Sequence, residues 1–379
     1  MDQATADAVD YWKEQNHASS APFSGQGADQ IWMPPLVKRT SEVNEEQIPQ
    51  VRLTLGDTEV TFASLDRMWS YIGMARRHRG YGQKDLRYFR SPEALGAVLQ
   101  KREIGGMARF WYEYVPKSCT PDRKWPLVLV MHGRGGTAET FFDLSNMSQV
   151  AEARKFIAVF PQAGIHQQKP GGLRNVLYWN GSYKGTPVND VAFLRALVED
   201  VRGRLPIDTG RIYAAGQSSG GIMADVLSTS ASDLFTACAS WSGMYHSKKV
   251  HSNYPKTAPI IPTLFLCGEN DPMCTKPGED PEFPFHLNDE LRRDLMEKLA
   301  RCHLDKERMQ TWITEPITWY CWPDDAGVPM LTVGIVKNMA HANYPEESWI
   351  SYDQFLSSFW RDKEGRLLYR GRIVSSVQK

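Results

Sequence analysis

The sequence predicts an α/β fold: an open, mostly parallel central sheet with helices on both faces, plus a small N-terminal α+β extension. Three observations carry this. Short continuous apolar runs, among them Pro126–Met131, Phe156–Phe160, Ala237–Trp241, Thr263–Cys267 and Met330–Val336, have the texture of strands buried on both faces of a parallel sheet. Stretches with apolar residues at helical spacing lie between them, so strand and helix alternate. Within Arg211–Asp225, an apolar run enters Gly216-Gln217-Ser218-Ser219-Gly220 and passes at once into Ile222, Met223, Ala224 and Leu227 at helical spacing. That is strand, tight turn, helix.

Composition bounds the rest. A chain of 379 residues with 42% hydrophobic and 23% charged residues can bury a large core. Lys plus Arg and Asp plus Glu are equal at 44 each, so no global field draws the chain to nucleic acid or an anionic surface. No run approaches the ~18 apolar residues of a membrane span. Met1–Gln30 is polar, with Asp2, Asp7, Asp10 and Glu14, and lacks the basic start and apolar core of a signal peptide. The expectation is a cytoplasmic protein or a mature secreted form. Six cysteines are too few for a disulfide framework at this length; Cys267 with Cys274, and Cys302 with Cys321, are the pairs open to bridging in an oxidising compartment.

In order along the chain, residues 1–45 read as a polar arm. Val51, Leu53 and Leu55 alternate up to Gly56-Asp57, and Val60 and Phe62 continue the alternation, which is a hairpin signal. Leu65, Met68, Trp69, Ile72 and Ala75 share a helical face behind Ser64, and Arg76-Arg77-His78-Arg79 closes that helix as a solvated cationic end. Ser91-Pro92-Glu93 is expected to open a short helix through Leu99. Residues 1–104 are thus read as an extension that edges the cleft or makes a subunit contact, and 105–379 as the main domain. There, Arg109–Val115 reads as an edge strand, Met147–Ala153 and Asp190–Val201 as helices, and Ser348–Trp360 as a last helix.

The chemistry collects at the C-terminal ends of the strands, where open α/β sheets place their sites. A serine at the apex of a strand-to-helix turn is held exposed in a strained conformation, which makes Ser218 the candidate nucleophile. The G-x-S-x-G pattern alone is weak in a chain with 29 glycines, so its context carries the reading. Serine acyl transfer needs a base, an acid to orient it, and oxyanion donors. Asp271 follows the buried strand Thr263–Cys267, with Glu269 as its close competitor. Of the later histidines, His341 sits in the loop after strand Met330–Val336, whereas His286 lies in a Pro-rich loop and His303 follows a helical run. Ser219 and Arg134, by their backbone N–H groups, are the candidate oxyanion hole. Glycines at 133, 135 and 136 let the second loop come close.

The set His132-Gly133…Gly136, Trp179-Asn180, Asn189-Asp190-Val191-Ala192-Phe193, Ile207-Asp208…Arg211-Ile212-Tyr213, Gly216–Gly221, and His341 with Tyr344-Pro345 resembles the α/β-hydrolase family of polyhydroxybutyrate depolymerase-like esterases, with feruloyl and acetylxylan esterases, over about residues 105–362. The resemblance implies a serine esterase with the triad Ser218, Asp271 and His341 and no metal or organic cofactor. Tyr344 stands where the family commonly has tryptophan. Trp179, Trp241 and Tyr344, near strand ends, are expected as substrate contacts for a small or polymeric ester of polyester, feruloyl or acetyl type. The segment from Pro272 to Val328 is expected to hold a helix on Leu287, Leu291, Leu295 and Leu299 and a hairpin around Pro323–Gly327, part of it roofing the site. A peptidase or acyl-aminoacyl hydrolase, which uses the same triad, and a silent binding protein on the same fold are the alternatives.

Overall fold

The computed structural model describes the strand pair 51–55 and 58–62 and residues 92–167, 175–180, 188–243 and 260–374, apart from single positions within them. The expected arm at 1–45, the helix over 65–75 and the cationic run at 76–79 lie outside the described residues. Strands β1 (Val51–Leu55) and β2 (Thr58–Phe62) pair antiparallel with Leu55 opposite Thr58, as the hairpin reading requires.

Among the described residues of 92–99 there is no helix. The Leu95 and Ala97 N–H groups both donate to the Pro92 carbonyl in a single turn. Gly96, at φ +89°, then leaves the helical region, and the chain extends into β3 (Val98–Ile104). Gly105 and Gly106, both at positive φ, reverse it in two residues into β4 (Met107–Tyr114). β4 is therefore an inner strand and β3 the edge, which corrects the edge assignment of Arg109–Val115. The expected boundary at 104/105 falls inside this hairpin, so the sheet begins at Val98.

The remaining strands of the main sheet are β5 (Trp125–Met131) and β6 (Ile157–Pro161), with helices α1 (Ala138–Leu144) and α2 (Met147–Arg154) between them. A short pair, β7 (Ile165–Gln167) and β8 (Asn175–Leu177), precedes α3 (Asp190–Arg204), β9 (Ile207–Gln217), α4 (Ser219–Ser230), β10 (Ala237–Trp241) and β11 (Thr263–Gly268). Helix α5 (Asp289–Arg301), strands β12 (Gln310–Thr314), β13 (Ile317–Pro323) and β14 (Pro329–Val336), and helix α6 (Glu347–Ile350) follow. The ten-stranded order is β12-β13-β14-β11-β10-β9-β5-β6-β4-β3. Its centre, from β14 to β6, is parallel, and an antiparallel pair flanks it at each end. The hairpin expected around Pro323–Gly327 joins β13 to β14 and continues the sheet, because Ile317–Pro323 pairs along β14.

Two apolar layers cover the sheet. One joins Phe141, Phe142, Val150, Phe160, Trp241 and Phe355; the other joins Leu129, Met131, Phe193, Leu197, Val198 and Leu227, all buried. The C-terminal helix is shorter than expected. After α6 the backbone widens into a π turn at Ser351–Phe355 and a 3₁₀ turn at Leu356–Ser358, and Phe359–Arg361 becomes a strand (β15) paired with β16 (Leu367–Tyr369), which β17 (Arg372–Ile373) extends. The Tyr213 hydroxyl donates to the Phe359 carbonyl at 2.6 Å, fixing that extended segment against β9. All six cysteines are free and buried, and burial pushes the Cys302 and Cys321 thiols up to about 11, so they stay protonated.

Candidate active site

Strand β9 ends at Gln217, and Ser218 turns the chain into α4 at φ 53° and ψ −119°. A serine in this left-handed region is strained, and its surroundings must hold it there. Its N–H donates to the Trp241 carbonyl on neighbouring β10 at 2.8 Å, and its own carbonyl accepts from Ile222. The turn is tight enough to demand glycine: a Cβ at Gly220 would stand 2.1 Å from the Met131 carbonyl oxygen.

His341 Nε2 lies 3.1 Å from Ser218 Oγ, and His341 Nδ1 lies 3.0 and 2.9 Å from the two Asp271 carboxylate oxygens. Asp271 is fully buried, and Oδ1 also accepts the Met273 N–H at 2.9 Å. The two loops are tied together, since Glu269 N–H donates to Val336 O and Asn270 N–H to Met339 O. Glu269 is exposed, and the carboxylate that meets the imidazole is that of Asp271.

The loop after β5 lies beside Ser218: a Cβ at Gly133 would come within 3.4 Å of the Ser218 Cβ. Arg134 is exposed in the turn that follows, closed by Gly136 N–H to Gly133 O at 3.1 Å. Ser219 opens α4 directly after Ser218. What anchors the loop is His132, a residue the sequence reading used only as part of a motif. It is fully buried, and burial first of all lowers its pKa from 6.5 to about 4. A neutral ring has one donor and one acceptor. Nε2 faces the Ala163 N–H and the Gln162 amide, both at 3.1 Å, and must accept; Nδ1–H therefore donates to Gly133 O at 2.7 Å.

Trp179 and Asn180 brace the same loop. The indole N–H of Trp179 donates to the His132 carbonyl at 2.8 Å. Asn180 N–H donates to Asp190, a buried carboxylate that also receives Arg109 at 2.8 Å. The expected substrate contacts are thus interior: Trp179, Trp241 and Tyr344 are 5%, 0% and 4% exposed. Trp241 donates its indole N–H to Ser351 Oγ at 2.8 Å, and the Tyr344 N–H donates to Glu347. Their burial and these hydrogen bonds place all three rings in the interior. Proximity to a strand end does not tell an inward ring from an outward one. Among the described residues no group of three or more His, Cys, Asp or Glu side chains is arranged to hold a metal ion, and no helix is long and apolar enough to cross a membrane.

A central parallel sheet with a serine elbow at one strand end, and a histidine and a buried aspartate at two others, defines an α/β-hydrolase. Within that class, residues 111–256 match the model of the esterase PHB depolymerase family. Feruloyl esterase B of Thermothelomyces thermophilus is 29% identical over 35% of this chain and 43% of its own length. Acetylxylan esterase A of Talaromyces purpureogenus is 28% identical over 41% of this chain and 42% of its own. The chain thus spans less than half the length of these curated relatives. A solved acetyl xylan esterase from Aspergillus awamori is similar in fold, with a TM-score of 0.51 at 15% identity, covering 69% of this chain and 99% of that one.

Proposed function

We propose that the protein is a serine esterase that hydrolyses carboxylic esters through an acyl-enzyme on Ser218. The observation that carries this is the unbroken contact from Ser218 Oγ to His341 Nε2 and from His341 Nδ1 to Asp271. His341 takes the Ser218 proton as Oγ attacks the ester carbonyl carbon. The carbonyl electron pair moves onto oxygen, where the backbone N–H groups of Ser219 and Arg134 receive it. The oxyanion collapses, the C–O bond to the alcohol breaks, and His341 returns the proton to the leaving alkoxide. Water then repeats the sequence on the acyl-enzyme and frees the acid. Asp271 keeps the ring in the Nδ1–H form and stabilises the imidazolium; its burial strengthens that interaction.

The names of the relatives support a polyester, feruloyl or acetyl ester as the substrate class, small or polymeric. A fluorophosphonate probe tests the nucleophile, followed by turnover on acetyl, feruloyl and hydroxybutyrate esters against peptide anilides. Labelling at Ser218 with ester turnover well above anilide turnover is the expected result. Labelling with anilide turnover dominant transfers the reading to a peptidase, and absence of labelling removes the enzyme reading.

A further inference from the structure

Away from the triad, a cavity of about 420 Å³ opens between the antiparallel edge of the sheet and the C-terminal segment. It takes in Leu264 near the start of β11, and Pro329 at the start and Thr332 in the middle of β14. Those strands deliver Asp271 and His341 from their other ends. Thr332 is four residues before the end of β14, roughly 13 Å back along the strand at ~3.3 Å per residue. The volume lies within the ~300–1,000 Å³ of small-molecule sites.

Its walls differ in kind. Trp312 and Trp319, directly opposed on β12 and β13, are nearly parallel, with ring centroids 6.0 Å apart and planes 16° apart. Trp319 is buried and locked, its indole N–H donating to Thr314 Oγ1 at 2.6 Å, whereas Trp312 is 42% exposed. The rim carries the exposed amides of Gln310 and Gln354 and the exposed guanidinium of Arg370, which lies over the Tyr369 ring. The hydroxyl of Thr332, 5% exposed, has no oxygen or nitrogen partner and meets the Cys321 thiol. Asp353, also on the rim, is held in a two-point ion pair by Arg154 at 2.7 Å on both arms.

These features select a ligand chemistry. A lipid chain would cover the rim amides and the Arg370 guanidinium without giving them partners, which is costly. A cation would find Asp353 already neutralised by Arg154. A neutral pyranose meets both demands, since its C–H face stacks on an indole while its belt of hydroxyls bonds the amides and the buried hydroxyl. We propose that this cavity binds a sugar unit of a neutral polysaccharide and holds the chain on a polymer independently of ester cleavage.

Affinity electrophoresis of the full-length protein in gels containing arabinoxylan, hydroxyethylcellulose or polygalacturonate tests this, with turnover of a small acetyl ester as the control. The expected result is retardation by a neutral polysaccharide that falls at least fivefold in Trp312→Ala and in Gln354→Ala, with small-ester turnover unchanged. Gln354 is exposed, so its variant keeps the test open if the tryptophan variant folds poorly. Ser218→Ala should bind like the parent, which separates this proposal from the esterase reading. Lack of retardation by either neutral polymer, retardation by polygalacturonate alone, or retardation untouched by both cavity variants overturns it.

Discussion

At the scale of single residues, two carboxylates compete for one role, and geometry separates them. Asp271 is buried against His341 Nδ1, whereas Glu269 is exposed. Asp271→Asn should lower kcat for an ester by about 10³–10⁴-fold by favouring the wrong imidazole tautomer, and Glu269→Gln by less than tenfold; the opposite ranking of kcat in purified variants would move the acid to Glu269. His132 gives a second prediction, read in stability. Its folded pKa of about 4 lies below the ordinary 6.5, so above pH 6.5 the ring is neutral in both states and its hydrogen bonds count in full. As pH falls from 6.5 towards 4 the unfolded chain takes up a proton the folded chain refuses, and stability drops by an amount on the order of 3 kcal/mol. Urea unfolding between pH 8 and 4.5 should therefore show a shallower pH dependence for His132→Asn than for the parent. Equal slopes in the two proteins would mean that His132 titrates normally.

At the scale of elements, helix α4, which follows Ser218, is joined to α5 by charge rather than by apolar packing alone. Lys298 Nζ lies 2.7 Å from Asp225 and 4.0 Å from Asp294, with all three side chains no more than 2% exposed. Burial works to strip the ammonium of its proton, but Asp225 and then Asp294 outweigh it and the Lys298 pKa lies above the ordinary value. Burial raises the Asp294 carboxyl above its ordinary value, and Lys298 pulls the other way. Lys298→Met would leave a buried carboxylate without its cation and should cost ~3–5 kcal/mol. Lys298→Met with Asp225→Leu should recover most of that loss in denaturant titrations, and a double variant no better than the single one would show that the pair is not the source. None of this was legible in the sequence, where Asp225 and Lys298 look like ordinary polar positions on two helices 73 residues apart. The elements themselves were far more legible. Runs such as Ala237–Trp241 carry their strand character locally, and Ser218 announces its turn through Gly216 and Gly220. The opening of the sheet at Val98 was not, because Pro at a first-turn position favours a helix and only the conformation of Gly96 ends it after one turn.

At the scale of the whole molecule, the question is where the catalytic unit begins. β3 pairs with β4 over its full length, from Val98 opposite Glu113 to Ile104 opposite Met107. A cut at 104/105, the boundary the composition suggested, would remove this edge strand. The freed edge of β4 includes Phe110, already 38% exposed, and would have unpaired N–H and C=O groups, a template for association between chains. Arg102, which donates to Asp200 on α3 at 2.9 Å, would go with it. A fragment starting at Pro92 keeps the strand, its Gly96 turn and that ion pair. Residues 92–379 should therefore elute as a discrete species in size-exclusion chromatography and unfold in one cooperative transition. Residues 105–379 should aggregate or melt several degrees lower, since a loss of ~1 kcal/mol moves the midpoint by ~2–4 °C in a domain of this size. If both fragments are equally stable and monomeric, β3 is dispensable and the catalytic unit does begin after residue 104. If the longer fragment also aggregates, the unit needs residues before 92.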